Sequence, residues 1–193
     1  LRVLMTVLLH DRKTIFFRPM KTGGTTIRRA LMDLKENNVN LKGRVTAPYT
    51  MLHHPWWIIK TYVGEEVWNE YRKVSSVRNP WNMIVSLYFY DIQERTLTPD
   101  ISFSSFVYSN SWFRVTASNM IFDEDKCIAD DVIKLETINE DMKRVFNIDN
   151  SYHENNQNLN LNYREMYDSD TANHVRDMCY KEIEKFGYDF DTT

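Results

Sequence analysis

The stretch Arg18 to Thr26, RPMKTGGTT, holds the residues best suited to chemistry. Lys21 brings a point charge, and Thr22, Thr25 and Thr26 bring hydroxyl donors. Gly23 and Gly24 let the backbone approach a guest closely and adopt positive φ where a turn needs it. Thr14 to Phe17 just before it reads as a short buried strand. Ile27 to Leu34 just after it reads as a helix with Ile27, Ala30, Leu31 and Leu34 on its apolar face. A strand, a glycine turn and a helix start make an anion site, because the first helical N–H groups lack intrahelical partners and the dipole favours negative charge. The predicted guest is a phosphate or a sulfate group; the plainer alternative is a glycine turn that binds nothing. A Walker A loop places its lysine after the glycines, as GxxxxGK[ST]. Here Lys21 precedes them, which argues against an ordinary ATP or GTP loop.

A second group lies farther on. Lys73 to Val77 reads as a strand, followed by Arg78-Asn79-Pro80 and then, eight positions after Arg78, by Ser86. Asn79 is a good helix N-cap and Pro80 a good first helical residue. Trp81, Ile84, Val85, Tyr88, Phe89 and Ile92 recur at helical spacing and form a buried stripe. A guanidinium fork and a hydroxyl near one helix start suit a phosphate. Taken alone, Arg78 reads more readily as a structural arginine capping the sheet edge, and Ser86 as a serine on a polar helix face; its place after a strand, in a chain that also has the first loop, favours the phosphate.

KTGGTT together with VRNPWNMIVSLYFY resembles the family of sulfotransferases that use 3′-phosphoadenosine 5′-phosphosulfate (PAPS), above all the Golgi-type carbohydrate enzymes and their bacterial and viral relatives. The tail is similar too, with NYREMYDSD followed by a helix ending EKFGYDF. The likeness runs from about Thr14 to Phe190. One departure is that Met20, not proline, directly precedes the lysine; Pro19 stands one residue earlier. Another is the loop before YREMY, where relatives carry basic or hydroxyl residues and this chain has Asn155-Asn156-Gln157-Asn158-Leu159-Asn160.

The resemblance implies an enzyme with PAPS as sulfate donor and no metal. It implies a P-loop-like three-layer α/β fold, a central parallel sheet flanked by helices. Lys21 would stabilise the bridging oxygen of the leaving phosphate, and the backbone of Gly23 to Thr26, with the Thr22, Thr25 and Thr26 hydroxyls, would hold the 5′-phosphate. Arg78 and Ser86 would grip the 3′-phosphate. The acceptor would be a hydroxyl compound, expected to be a carbohydrate. A hydroxyl needs a general base, and histidine is suited to that task. His53 and His54 lie between the two motifs, where relatives carry a catalytic His or Glu. Spacing to Gly64 and Arg78 makes His53 the first choice and His54 the reserve; packing beside Pro55 is the simpler role for either. Trp56 and Trp57 are candidates for a stacking wall against a sugar or adenine ring, although aromatics more often belong to a core. Glu136 reads as structural, and His10, His153 and His174 as surface or packing residues. Two other readings stay open: a P-loop-type kinase using ATP, and a non-catalytic nucleotide-binding protein.

These residues need a scaffold, and the pattern supplies one. Strands at Thr14–Phe17, Lys73–Val77 and Asp131–Leu135 alternate with helices, which predicts a parallel α/β sheet with ligands beyond the carboxyl ends of its strands. Short helices are expected over Ile58–Val63, Glu65–Tyr71 and Phe103–Tyr108, the last capped by Ser102. Thr137 is expected to cap a helix carrying Ile138, Met142, Val145 and Phe146. One helix is expected from Ser169 to Phe186, stopped at Gly187. Leu1–Leu9 reads as an N-terminal strand or lead-in, and Arg44–Thr46 as a short strand within a polar loop. Ser109–Asp130 is irregular and is the expected contributor to an acceptor pocket. The chain of 193 residues fits a single domain over 1–193. Its 42% hydrophobic and 26% charged residues are ordinary globular values. A net charge of −3 argues against a general nucleic-acid binder, so any anion site must be a local positive patch. Cys127 and Cys179 fit no zinc or CxxC spacing and read as buried thiols, a single disulfide being the alternative. No apolar run is long enough to span a bilayer. A soluble domain is expected, cytoplasmic in a bacterial or viral chain and lumenal in a piece of a larger eukaryotic one, which a start at Leu1 would allow.

Overall fold

The computed structural model describes residues 6–34, 38–40, 53–149 and 162–191. The expected strand at Arg44–Thr46 and the asparagine-rich loop at Asn155–Asn160 lie outside them. The chain opens with strand β1 (Val7–Leu9), turns through His10 to Lys13, and returns as β2 (Thr14–Phe17). Helix α1 (Gly24–Asp33) and edge strand β3 (Asn38–Asn40) follow. Then come α2 (Trp56–Val63), α3 (Glu65–Glu70), β4 (Arg72–Val77) and the long α4 (Pro80–Gln93). Helices α5 (Phe103–Tyr108) and α6 (Ala117–Met120) lead to a small hairpin of β5 (Phe122–Asp123) and β6 (Lys126–Cys127). Strand β7 (Asp131–Lys134) and helices α7 (Ile138–Phe146), α8 (Ser169–Met178) and α9 (Tyr180–Phe186) complete the order.

The main sheet runs β3-β1-β2-β4-β7. β2, β4 and β7 are parallel, with Phe17 beside Ser75 and Val77 beside Lys134. β1 is antiparallel to both its neighbours. The sheet is therefore mixed, which corrects the expectation of a parallel one. The four-residue turn His10–Lys13, with Lys13 at φ 44, is too short for a crossover and allows only a hairpin. Alternate strand residues feed two cores. Val7, Leu9, Phe16, Val74 and Ile133 pack with Ile27 and Leu31 of α1 and Met142 and Phe146 of α7. Leu8, Ile15, Phe17 and Val77 pack with Ile59, Trp68, Trp81, Ile84 and Val175 from the helices of the opposite face. The architecture is α/β with helices on both faces of the sheet.

Three local expectations change. Thr137 holds the N-cap position of α7 as expected, but its side chain makes no cap bond: its hydroxyl donates to Asp141 Oδ2, which also accepts the Lys134 N–H at 2.9 Å. The polar segment around Asn38 contributes an edge strand where the composition predicts only loop. The C-terminal helix is broken at Cys179, which leaves helical dihedrals with φ −106 and ψ 17. The break rotates α9 so that Glu182 is buried at 1% exposure while Ile183 is only half-buried. Both cysteines are free thiols, Cys179 buried and Cys127 half-buried. Among the described residues no helix is long and apolar enough to cross a membrane, and no group of His, Cys, Asp or Glu is placed to hold a metal.

Glu182 gives a stability prediction. Its Oε1 accepts the Ser118 N–H at 3.4 Å, and the Ser118 hydroxyl and the Cys179 thiol also lie against it. Burial pushes its carboxyl up from 4.5 to about 7. A carboxyl raised on folding binds more protons in the native state, so stability falls as pH rises from 4.5 towards 7 and is level above that. The loss is on the order of 3 kcal/mol at pH 8. Glu182→Gln is expected to raise Tm at pH 8 and to leave it nearly unchanged at pH 4.5, as measured by calorimetry in matched buffers.

Candidate active site

The site lies at the carboxyl edge of β2 and β4. Both strands end here and release a loop that runs into a helix. After β2 the chain turns sharply: Lys21 takes φ 59 and Gly23 φ 74. Gly23 is the N-cap of α1; its carbonyl accepts from Thr26 N at 3.0 Å and Ile27 N at 3.2 Å. No side chain caps this helix, and its first turn holds no acid. The Gly24 and Thr25 N–H groups, which precede the first intrahelical bond, are thus available to an anion. Gly24 admits no side chain, because a Cβ there would run into the Arg18 side chain. Arg18 is 6% exposed and donates from Nη2 to Thr25 Oγ1 at 3.4 Å. It therefore lies against the first turn of α1 and adds positive charge beneath the loop.

The three threonines differ. Thr22 is buried, and its hydroxyl donates to Pro19 O at 3.0 Å while lying 2.7 Å from Ser76 Oγ of β4. Its proton is spent inside the protein, tying the loop to the neighbouring strand. Thr25 is exposed and Thr26 half-buried at the helix start. The loop is also tied from below, where Met20 N donates to Val115 O at 3.2 Å.

Arg78 joins the two motifs. Its Nη1 donates to the Lys21 carbonyl at 3.2 Å and its Nη2 to Asn82 Oδ1 at 2.9 Å. Asn79 caps α4, its side chain accepting from Asn82 N at 3.2 Å. Asn82, Ser86 and Tyr90 follow at intervals of four, hence on one face of α4. Arg78 touches the first of them, and the Lys21 ammonium sits 4.5 Å from the ring centre of the last. Half-buried Ser86 lies between. One face of α4 thus lies against the loop after β2. Burial, then the charges of Arg78 and Arg18, lower the Lys21 ammonium from its ordinary 10.5, and Asp91 opposes them.

His53 is 7% exposed and its Nδ1 donates to the Arg18 carbonyl at 3.2 Å. A carbonyl only accepts, so Nδ1 carries the proton and Nε2 keeps its lone pair. Burial, with the Arg18 charge, holds this imidazole down at about 3, neutral at any ordinary pH. His54 is half-buried, is also lowered by burial, and lies 5.9 Å from the Tyr62 ring. Trp56 donates from Nε1 to Phe122 O at 3.0 Å and packs on Trp68. Trp57 stands 44% exposed beside it. Trp56 is half-buried, so Trp57 presents the more open ring surface of the two.

Lys21 thus meets Arg78 and Tyr90, Arg18 meets Thr25 at the start of α1, and His53 is tied to the loop through the Arg18 backbone; Ser86 shares the α4 face of Asn82 and Tyr90, and Thr26 follows Thr25 in α1. Arg18, Asn82 and Tyr90 are participants that the motif reading passes over. The interval of four from Asn82 to Ser86 and Tyr90 is the signal that marks two of them. Protein-family models, curated proteins and solved structures all give no match to this chain.

Proposed function

We propose that this protein is a PAPS-dependent sulfotransferase acting on a hydroxyl acceptor, most simply a carbohydrate, with a P-loop-like strand–loop–helix unit at β2 and α1. The observation that carries the reading is the bond from the Arg78 guanidinium to the Lys21 carbonyl, across an uncapped, acid-free helix start. Two cationic motifs separated by 57 positions in sequence meet in this bond. A ligand with phosphate at both ends fits such a pair better than a nucleotide with one polyphosphate tail. Three cationic side chains, Arg18, Lys21 and Arg78, converge there in a chain whose net charge is −3.

PAPS, when bound, supplies a sulfuryl group whose S–O bond to the 5′-phosphate breaks as a new S–O bond forms to the acceptor. The chain's own residues position and neutralise. The α1 amides and the Thr25 and Thr26 hydroxyls receive the 5′-phosphate, and Lys21 offsets charge as it builds on the leaving oxygen. Arg78 and Ser86 take the 3′-phosphate. His53 Nε2 takes the acceptor proton, and the Arg18 carbonyl fixes its tautomer. An anion beside Arg18 would offset the Arg18 charge, the second cause after burial of the low proton affinity of His53. Trp57 offers an exposed face for a sugar ring. The depressed imidazole also supports a second reading, a protein that binds the nucleotide without turning it over.

Thermal shift tests the first step. 3′-Phosphoadenosine 5′-phosphate (PAP) at a hundred times its Kd is expected to raise Tm by about 5–10 °C. Stabilisation by ATP with Mg²⁺ and none by PAP would overturn the proposal in favour of a kinase. Stabilisation by PAP without transfer to any of a panel of glycan acceptors favours the second reading.

A further inference from the structure

The turn that follows β7 touches both motifs, although nothing in the site chemistry needs it. Leu135 lies against Gly23, where an added Cβ would fall 2.6 Å from Leu135 Cδ1. Glu136, the next residue, accepts the Asn79 N–H at 2.6 Å through Oε1. Its Oε2 accepts the Tyr188 hydroxyl at 3.2 Å. Tyr188 opens the C-terminal segment, which crosses the start of α4: Asn79 Nδ2 donates to Asp189 O at 2.9 Å. That segment is itself pinned. Phe190 O accepts from Tyr163 Oη at 2.6 Å and Arg164 Nε at 3.1 Å, and its ring packs 5.5 Å from that of Trp81. Every polar group of Asn79 named here is thus set by something outside α4, except its cap to Asn82, and Asn82 in turn holds Arg78.

We infer that Glu136 is a positioning residue for the phosphate grip of Arg78, coupling the C-terminal segment to the Arg78-Asn79 motif; this rests on the nucleotide reading above. Glu136 touches neither ligand nor reacting atoms. It fixes the backbone of Asn79, and through Asn79 and Asn82 it fixes the plane of the Arg78 guanidinium. An arginine fork held in one plane binds a phosphate with less ordering cost than a mobile one. A carboxylate on a backbone N–H also makes a strong, charge-assisted bond.

The readout is 3′-phosphate discrimination: the ratio of affinities for PAP and for adenosine 5′-phosphate, by calorimetry. The wild type is expected to prefer PAP by about a hundredfold, and Glu136→Ala to cut that ratio by about tenfold, the scale of one lost bond to a charged group. Glu136→Gln keeps an acceptor for Asn79 N–H and is expected to restore most of the ratio. Tyr188→Phe keeps the ring, removes the bond to Oε2, and is expected to lower the ratio by a smaller factor in the same direction. A fall in both affinities alike in Glu136→Ala would mean general destabilisation and overturn the inference. So would a rise in PAP affinity in both Glu136 variants, which would make the carboxylate a repelling charge. A wild type with no preference for PAP defeats the nucleotide reading itself, and this inference with it. A normal preference that Glu136→Ala leaves unchanged defeats this inference alone.

Discussion

Arg78→Ala is expected to weaken PAP binding by about a hundredfold, because a guanidinium makes two charge-assisted bonds to a phosphate and each is worth ~1.5 kcal/mol at the low end of the range for charged groups. The loss should be confined to the 3′-phosphate. Affinity for adenosine 5′-phosphate is expected to stay within about threefold, since the α1 amides and Lys21 are untouched. The fold should survive. Arg78 is half-buried just after β4, and its partners Lys21 and Asn82 are half-buried too, so its loss strands no group in the core. Arg78→Lys separates charge from shape. It keeps the point charge but cannot hold the Lys21 carbonyl and Asn82 with one planar group, so it should recover only about tenfold. Equal losses for both nucleotides would mean that Arg78 merely braces the loop. No loss for either would remove the two-ended clasp from the proposal.

The parts of this site that follow local rules were legible in the sequence. Asn79 and Pro80 announce the start of α4, and the cap to Asn82 N is where the pattern puts it. The glycine turn between a β-strand and a helix is equally local, and Gly23 takes the positive φ that such a turn asks for. Ser102 caps α5 through Ser105 N, as its position suggests. What the sequence hides is tertiary. Nothing in the residue types distinguishes Thr22, whose hydroxyl is spent on Pro19 and Ser76, from exposed Thr25. Trp56 and Trp57 look alike as letters, yet one is anchored to Phe122 O and the other is open. The C-terminal helix has a continuous apolar period, and only the packing of α6 against α9 shows why Cys179 breaks it and buries Glu182. β1 reads as an N-terminal strand or lead-in, and its antiparallel pairing is decided by the length of a turn rather than by its own residues.

His53→Gln is expected to lower transfer by about 10²–10⁴-fold while leaving PAP affinity within about threefold, the span that one positioned base contributes. Glutamine fills much of the imidazole volume and can still donate to the Arg18 carbonyl, so the loss would belong to Nε2 and not to a collapsed pocket. The pH profile separates His53 from His54. An imidazole held at about 3 is already neutral, so kcat/KM should show no acidic limb between pH 5 and 7 from this group. A limb near 6.5, or loss of transfer in His54→Gln with His53→Gln active, would hand the base to His54. Stability gives an independent check with a definite sign. Between pH 3 and 6.5 the unfolded chain protonates this histidine and the native chain does not, so stability must rise with pH across that window by up to ~1.4 kcal/mol per unit. Glu182 acts in the opposite sense from 4.5 to 7, so the two slopes partly cancel in the wild type. In a Glu182→Gln background the opposing slope is gone and the Tm curve should steepen below pH 6.5, with His54, also lowered by burial, adding to it in the same sense. Adding His53→Gln should flatten it again. A curve that stays equally steep without His53 would mean that this imidazole is solvated, and the buried base with it would go.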